Sequence, residues 1–220
     1  MSDNPPDRDI EWTESGVAGA YRFTQRVYRQ AEAASPLVGA ARPETFGTVA
    51  TTLRRATHRA IAALTEALES FAFNVAVARL YELANAIADA ERAGDEAKPG
   101  NEGLGWARLE ALSMMARLVS PMMPHLAEEV HAMLHPGSAM VAELPWPEAE
   151  PDLLVADSVT IAVQVMGKLR GAIVVAPDAS AETVIAAAEN EPNVARLLEG
   201  KRVVKRIHVP GRIVNFVVAG

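Results

Sequence analysis

Cysteine does not occur at any of the 220 positions. Its absence excludes disulfide bonds, thiolate nucleophiles and cysteine-ligated zinc or iron–sulfur sites, and it fits a protein of the reducing cytosol. Long apolar runs are also missing, since no stretch of about 18 residues is apolar and uncharged throughout. The opening sequence MSDNPPDRDIEW is acidic and lacks the apolar core of a signal peptide. We therefore predict a cytoplasmic protein without a membrane-spanning segment.

Sequence motifs for nucleotide binding and nucleophilic catalysis are absent as well. The only glycine-rich stretch, residues 100–105, lacks the spacing of a phosphate loop, and no GxSxG elbow is present. A helix would bring His131, His135 and Glu128 onto one face, as possible metal ligands. However, no HExxH pattern is present, and surface histidines often have this spacing. We predict no catalytic residue, no metal site and no cofactor bound to this chain.

The residues that are present predict a folded protein with an uneven charge. Half of them are hydrophobic, which is enough for one large domain or two modest ones. The formal net charge is −7. Residues 158–220 hold eight Lys/Arg against five Asp/Glu, a net +3, whereas the residues before them hold 13 against 23, a net −10. A polyanionic partner is therefore expected to bind the C-terminal part.

Residues 1–135 carry the periodicity of amphipathic helices. Their apolar spacing predicts five helices, at about 15–34, 44–70, 74–93, 104–119 and 124–134. Because Pro121 and Pro124 interrupt the last apolar run, we predict a bend there, with Pro124 in the first turn of the final helix. The sequence therefore predicts an antiparallel bundle of four or five helices.

The same spacing assigns faces to these helices. The apolar stripe of the first helix is predicted from Val17, Tyr21, Val27 and Tyr28. Asn74 is predicted to cap the third helix. A basic cluster on the second helix is predicted to face outward: Arg54, Arg55, His58 and Arg59. Its three arginines form either a solvated face with local ion pairs or a secondary contact with phosphate.

From residue 136 onward the pattern changes. Four prolines within 136–157 predict a linker, in which Trp146 serves as a packing anchor. From residue 158 the apolar residues alternate with polar ones, which predicts half-buried strands.

Residues 158–220 are predicted to form a small α+β domain in the order ββ-α-ββ, so the whole chain is mainly α. A turn is predicted at Gly167 and Lys168, a helix N-cap at Ser180 and a type II turn at Pro210 and Gly211.

Several stretches resemble class I aminoacyl-tRNA synthetases. SPMMPHLAEEVHAML at 120–134, with LPWPE at 144–148, resembles the helical domain of the members for Leu, Ile, Val and Met. WTESGVAGAYRFTQRVYR at 12–29 and FAFNVAVARLYELANAI at 71–87 are similar to the leucyl members. VQVMGKLRG at 163–171 and LLEGKRVVKRIHVPGRIVNFVV at 197–218 resemble the C-terminal module of bacterial leucyl-tRNA synthetases, although Met166 stands where that family often has a polar residue.

This resemblance implies that the chain is the C-terminal part of a longer enzyme, and that Met1 is an internal methionine. It implies an anticodon-binding-type helical domain at 1–135, a linker at 136–157 and a tRNA-binding domain at 158–220. The family needs HIGH-type and KMSKS-type motifs around ATP, and an inserted editing domain, none of which is present here. We therefore expect this chain to bind neither leucine nor ATP, the cofactor of the parent, and to be inactive alone.

The candidate tRNA contacts are the cations of the C-terminal part. Five of them lie within twelve residues with no acidic residue between them: Lys201, Arg202, Lys205, Arg206 and Arg212. Lys168 and Arg170, beside the first turn, form a second group. Strand parity divides the charge between two faces and places Lys205 near a sheet edge. The alternative is ordinary solubility charge, but the resemblance implies that this module reaches the elbow of tRNA.

Two functions remain open from the sequence. The first is a tRNA-binding fragment that positions tRNA(Leu) for a catalytic domain absent from this chain, with the catalytic and editing domains of the parent as further partners. The second is a protein-interaction scaffold with no RNA role. Neither function involves DNA or a membrane.

Overall fold

The computed structural model describes residues 13–94, 97–155, 159–177 and 179–219. The chain divides into two compact units between Leu154 and Val155. The first unit is helical and the second combines two helices with a four-stranded sheet. The predicted fold class, a helical bundle followed by a small α+β domain, is confirmed. In the part of the chain that the structure describes, no helix is both long and apolar enough to cross a membrane.

In the described part of the first unit, five long helices build the structure: α1 Glu14–Ala34, α2 Thr48–Glu69, α3 Phe73–Ala93, α4 Leu104–Val119 and α5 Pro124–Leu134. Short 3-10 turns lie at Ser35–Leu37 and Val141–Glu143, and a single helical turn, α6, at Pro151–Leu154. The second helix begins four residues later than predicted. There the N–H of Gly47 donates to the carbonyl of Glu102 at 2.8 Å, so the chain before α2 follows the 100–102 loop instead of winding into a helix.

Helix α4 lies at the centre of the helical core and contacts the other four long helices. Its residues Leu112, Met115, Leu118 and Val119 repeat at helical spacing in the sequence and are all buried, as that spacing predicts. The bend that follows is also confirmed. The carbonyl of Val119 accepts hydrogen bonds from the N–H groups of Met122 and Met123, and α5 then begins at Pro124, whose missing N–H costs nothing in the first turn.

Helix α1 contacts the bundle through a different face from the one predicted. Of the predicted stripe only Val27 is buried, whereas Val17 is 50% exposed and Tyr21 63% exposed. The buried stripe lies roughly 100° further round the helix and consists of Phe23, Val27, Gln30, Ala31 and Ala34. This helix has two apolar stripes, and periodicity alone does not tell which one meets the other helices.

The predicted cap of α3 is also wrong. The helix starts at Phe73, and its N-cap residue, Ala72, has no capping side chain. The preceding Phe71 adopts a left-handed backbone with φ of 56°, and Ala72 N–H donates to the carbonyl of Ala67 at 2.8 Å. This tight ending of α2 starts α3 one residue before Asn74, which therefore lies inside the helix.

Residues 141–154, named here the strap, pack onto the helices although they lie within the predicted linker. Val141 and Leu153 are buried, and Trp146 packs against the helical core, as expected for an anchor. The backbone N–H groups of Val141 and Ala142 donate to the Glu128 carboxylate at 2.9 and 3.1 Å. The strap therefore belongs to the first unit.

The second unit has the predicted element order. Its elements are β1 Val159–Val165, β2 Lys168–Val175, α7 Ala181–Glu189, α8 Pro192–Leu198, β3 Val203–Val209 and β4 Ile213–Val218. The strand order is β2-β1-β4-β3, and β1 pairs with β4 in parallel while the outer pairs are antiparallel. One face of the sheet packs against α7 and α8 to form the core, through Val163, Val165, Val214 and Phe216.

Turn chemistry explains the connections of the second unit. Ser180 caps α7 as predicted, and Gly211, with φ of 68°, completes the predicted turn after Pro210. The first turn differs, because Lys168 already belongs to β2. Met166 and Gly167 occupy the turn instead, both at positive φ, which is the pattern of a type I′ hairpin.

Candidate nucleic-acid interface

The strand directions bring most of the predicted cations to one end of the sheet. Strands β1 and β4 end where β2 and β3 begin, as shown by Ala219 N–H donating to Arg202 carbonyl at 2.9 Å and Met166 N–H to Phe216 carbonyl at 2.9 Å. Five exposed cations lie at this end, and we name them the basic end: Lys168, Arg170, Lys201, Arg202 and Lys205. The sheet topology therefore brings together two groups of cations, within 168–170 and 201–205, that lie more than thirty residues apart in the sequence.

The two groups of the basic end lie on opposite edges of the sheet. Lys168 and Arg170 are on edge strand β2, whereas Lys205 is on edge strand β3, so its predicted edge position is confirmed. Three strand spacings separate the edges, about 14 Å. A polyanion that crosses this end would therefore meet positive charge at both edges.

Arg212 is not part of the basic end. It lies in the turn that connects β3 to β4, where its N–H donates to the carbonyl of Val209 at 3.1 Å. The length of β3 separates this turn from Arg202, roughly 20 Å at the rise of a strand. The structure thus divides the cations that the sequence groups within twelve residues.

Arg206 differs from its neighbours because its side chain is on the helix side of the sheet. It pairs with Phe216 in the register, and paired residues point to the same face. Its Nε donates to Glu189 on α7 at 2.7 Å. Lys205 pairs with Val217 and takes the other face. The predicted division of charge between the faces is confirmed, and Arg206 has an anionic partner within the fold.

The sheet face opposite α7 and α8 carries apolar side chains that the sequence reading missed. Leu169 is 66% exposed and Val174 is 67% exposed, and Ala162 and Ile213 share their face by register. Among the described residues of the second unit, the core cluster lies on the other face only. The sequence does contain a sign of this second apolar face, because apolar residues occur at both odd and even positions of β2 and β4. The basic end is thus continuous with an exposed aliphatic surface.

The prediction that Arg54 and His58 face outward is wrong. Arg54 is 5% exposed and His58 is 4% exposed. Arg54 donates through Nε to Glu110 at 2.9 Å and through Nη2 to Glu150 at 3.0 Å, and its guanidinium lies 4.4 Å from the ring centroid of Phe46. The carboxylate partners lie on α4 and the strap, far along the chain, so helical spacing gave no sign of them. Arg54 is therefore removed from the candidate phosphate contacts.

Of the other two arginines on α2, Arg59 is exposed and Arg55 is half-buried. Arg59 thus presents a cationic side chain to the surface of the helical unit. A secondary contact between this surface and phosphate stays a prediction.

The buried network around Arg54 sets the ionisation of Glu110. Burial alone would raise the pKa of this carboxyl. The hydrogen bonds from His58 and Arg54, together with the charge of Arg54, outweigh burial and hold its pKa below the ordinary value of 4.5. Burial lowers the pKa of Arg54, but the hydrogen bonds and charges of Glu110 and Glu150 outweigh burial and raise it above its ordinary value. Both groups of the pair are therefore charged at neutral pH.

One His/Glu cluster among the described residues has the spacing of a metal site, namely His58, Glu110 and Glu150, whose possible ligand atoms lie within 4.8 Å of one another. Two observations argue for an ion network instead. The Arg54 guanidinium already occupies both carboxylates. The Nδ1 atom of His58 accepts the N–H of Glu150 at 2.9 Å, which places the proton of the neutral ring on Nε2, facing Glu110.

The other candidate metal ligands, on α5, also have partners in the protein. His131 Nε2 lies 2.9 Å from Ser138 Oγ, and His135 Nε2 lies 2.7 Å from Ser113 Oγ. The two imidazole rings are 4.8 Å apart. Burial, and next the neighbouring His131, lower the pKa of His135. The arrangement fastens the end of α5 to Ser113 of α4 and to Ser138 of the turn that follows.

Comparison with known proteins gives three findings. A family model described as the anticodon-binding domain of tRNA ligase matches residues 51–185. The chain is 56% identical over 222 residues to the leucine–tRNA ligase of Granulibacter bethesdensis and 58% identical over 220 residues to that of Gluconobacter oxydans. Each alignment covers 100% of this chain and about a quarter of the relative.

The third finding is structural. The fold matches the agnB2 LeuRS of Agrobacterium radiobacter K84, solved as a ternary complex with tRNA and LeuAMS, with a TM-score of 0.74 and 26% identity. The match covers 96% of this chain and 26% of that one. The resemblance that the sequence motifs indicate is therefore confirmed over the length of the chain.

Proposed function

Because the chain belongs to the anticodon-binding domain family of tRNA ligases, we propose that its two units bind one tRNA and position it for leucylation. The observation that carries this proposal is the basic end, where sheet topology assembles five exposed cations from two separate segments. Cations contribute to RNA affinity by releasing counterions from phosphates. They fix where the RNA lies but read no base.

The surroundings of the basic end favour RNA over a simple anion. RNA outside regular helices is bound through its shape and through exposed bases and 2′-hydroxyls. Leu169, 66% exposed between Lys168 and Arg170, offers an aliphatic side chain beside the cations, suited to the face of an exposed base or base pair. An elbow of tRNA presents both a bent backbone and such a base. The second unit is accordingly the elbow-contacting module.

The chemistry of leucylation belongs to other parts of a longer protein. The chain spans about a quarter of the length of its curated relatives. Catalytic and editing domains of the same parent would be its covalent partners, and ATP and leucine would bind there. The contribution of this chain is positioning, in the cytoplasm, where tRNA is charged.

Filter binding of the purified chain to tRNA(Leu) tests the proposal. The affinity should fall as salt rises, with a slope of log affinity against log salt of about 0.7–0.9 for each phosphate contact. An equally long single-stranded RNA is the control for non-specific charge, and it should bind more weakly because it lacks the folded corner. Absence of tRNA binding at low salt would leave the protein-interaction scaffold as the better account.

A further inference from the structure

We propose that His58 and Arg54 are positioning residues for tRNA binding, because they clasp the strap to the helices and so fix the point from which the second unit is connected. The inference rests on the proposed function. The strap ends at Leu154, and the division between the units follows directly after it. Whatever holds the strap therefore determines how much chain separates the last fixed residue of the first unit from β1.

His58 holds the backbone of the strap. Its Nδ1 accepts the N–H of Glu150 at 2.9 Å, and its Nε2 faces the Glu110 carboxylate at 3.4 Å. The ring is 4% exposed, so water cannot readily replace it as the acceptor. Because the contact is made to a backbone N–H, it holds the course of the chain itself.

Arg54 holds the same strap residue by charge. Its Nη2 contacts both carboxylate oxygens of Glu150, at 3.1 and 3.0 Å, while its Nε is fixed by Glu110. The guanidinium also stacks on Phe46, which limits its movement. Glu150 is thus held at its N–H by one residue of α2 and at its carboxylate by another, one turn away.

Two further contacts fasten the beginning of the clasped segment. Trp146 Nε1 donates to Thr65 Oγ1 at 2.8 Å, and Arg117 Nη2 donates to the carbonyl of Pro145. These partners again lie on α2 and α4. Residues 145–150 are therefore held by polar contacts from two helices in addition to the packing of Trp146 and Ala149 against the helical core.

The clasp consists of the contacts that His58, Arg54 and Thr65 make with the strap. If both units bind one RNA, release of the clasp lowers the affinity by lengthening the connection between them. With the clasp closed, five residue steps connect Leu154 to β1 at Val159. Complete release of the strap, including the buried Leu153, makes Ala142, held by Glu128, the last fixed residue, and the connection is then roughly three times longer. Effective concentration falls roughly as the −3/2 power of tether length, so tRNA affinity should drop by about three- to tenfold.

The test compares His58→Gln with His58→Asn in the complete chain. The Asn Oδ1 can take the place of Nδ1 as acceptor for Glu150 N–H, whereas Gln reaches only toward Nε2. His125→Gln is the matched control, because His125 is exposed on α5. Thr65→Val, which removes the acceptor of Trp146 at nearly constant volume, is a second variant in case His58→Gln does not fold.

Two measurements are made on variants whose helical circular dichroism and cooperative unfolding match the wild type. Cleavage after Glu148 by a glutamate-specific protease, which yields fragments 1–148 and 149–220, reports release of the strap without RNA. Filter binding reports affinity for tRNA(Leu). We expect His58→Gln and Thr65→Val to be cleaved faster and to bind about three- to tenfold more weakly, with His58→Asn and His125→Gln close to wild type.

Two results would overturn the inference. One is unchanged cleavage at Glu148 in both folded clasp variants, which would show that these contacts do not hold the strap. The other is faster cleavage with unchanged tRNA affinity, which would show that the strap does not position the second unit. A wild-type chain that binds no tRNA would overturn the proposed function and the positioning role with it, while the cleavage result would still show whether the clasp exists.

Discussion

At the scale of single residues, burial separates the cations of this chain into two groups with different tasks. Arg54 is buried between Glu110 and Glu150 and holds parts of the first unit together. Lys201 and Arg202 are exposed and available to a partner. Arg206 is intermediate, because it is half-exposed and paired with Glu189. The environment of each cation, more than its presence, decides whether it can contact RNA.

Glu110 should make the first unit sensitive to acid. Its pKa is lowered in the folded state, so the stability it contributes is present above the ordinary, unfolded-state pKa of 4.5 and is lost as pH falls through the folded pKa. Urea unfolding between about pH 6 and pH 3 should show a steeper loss of stability in the wild type than in Glu110→Gln, which has no carboxyl there to protonate. Parallel pH profiles would show that the Arg54–Glu110 pair does not contribute to acid sensitivity.

Met166 should be a correctable weak point of the second unit. It has a φ of 53° in a two-residue turn before Gly167, a conformation that costs an ordinary side chain about 1 kcal/mol and that Asn tolerates. Met166→Asn should therefore raise the free energy of unfolding of this unit by about 0.5–1 kcal/mol in urea titrations. Met140→Asn is the control, since Met140 is also exposed but has an ordinary backbone. Equal effects of the two substitutions would mean that the turn stores no strain.

At the scale of elements, α1 shows how one helix can present two apolar stripes of which one is used. Phe23 packs on the Tyr81 ring at 4.5 Å, and Arg26 and Gln30 both donate to the carbonyl of Ala84 on α3. These polar contacts fix the rotation of α1 about its axis. The stripe of Val17 and Tyr21 is left at the surface as a consequence.

The two stripes of α1 should respond differently to truncation. Phe23→Ala should lower the free energy of unfolding of the first unit by about 3–5 kcal/mol, the usual cost of deleting a buried aromatic ring. Tyr21→Ala, at 63% exposure, should change it by no more than about 0.5 kcal/mol. Guanidinium titrations followed by circular dichroism would measure both, and a reversed order of the two effects would contradict the observed rotation of α1.

The elements that the sequence predicted well are those set by local chemistry. The start of α5 at Pro124, the cap at Ser180 and the turn at Pro210 and Gly211 each depend on neighbouring residues only. The features that the sequence did not predict depend on contacts between residues far apart in the chain. The burial of Arg54 requires Glu110 and Glu150, and the separation of Arg212 from the basic end requires the strand order. No local pattern encodes these contacts, which is why the candidate site changed more than the fold did.

At the scale of the whole molecule, the chain contains two units with separate cores. The second has its own buried centre, in which Val163, Val214 and Phe216 are fully enclosed. The core of the first is built from its helices, with Trp146 of the strap packed against it. Each unit thus has its own source of stability.

Residues 155–220 should accordingly fold alone, with marginal stability because a unit of this size buries a limited core. A dispersed amide spectrum with slowly exchanging N–H groups in β1 and β4, the two inner strands, is the expected result. A collapsed spectrum under all mild conditions would show that the second unit depends on the first.

The central claim, that the basic end is the RNA-binding surface, is tested most directly by removing its charges. Lys201, Arg202 and Lys205 changed together to Ala should weaken tRNA(Leu) binding and flatten the slope of log affinity against log salt by about two units, with folding spared because exposed charges contribute little to stability. The matched control removes the same charge elsewhere, from Arg22, Arg29 and Arg212, which are all exposed. The account predicts a reduced slope for the first triple and a nearly unchanged slope for the second, and the opposite order would contradict it.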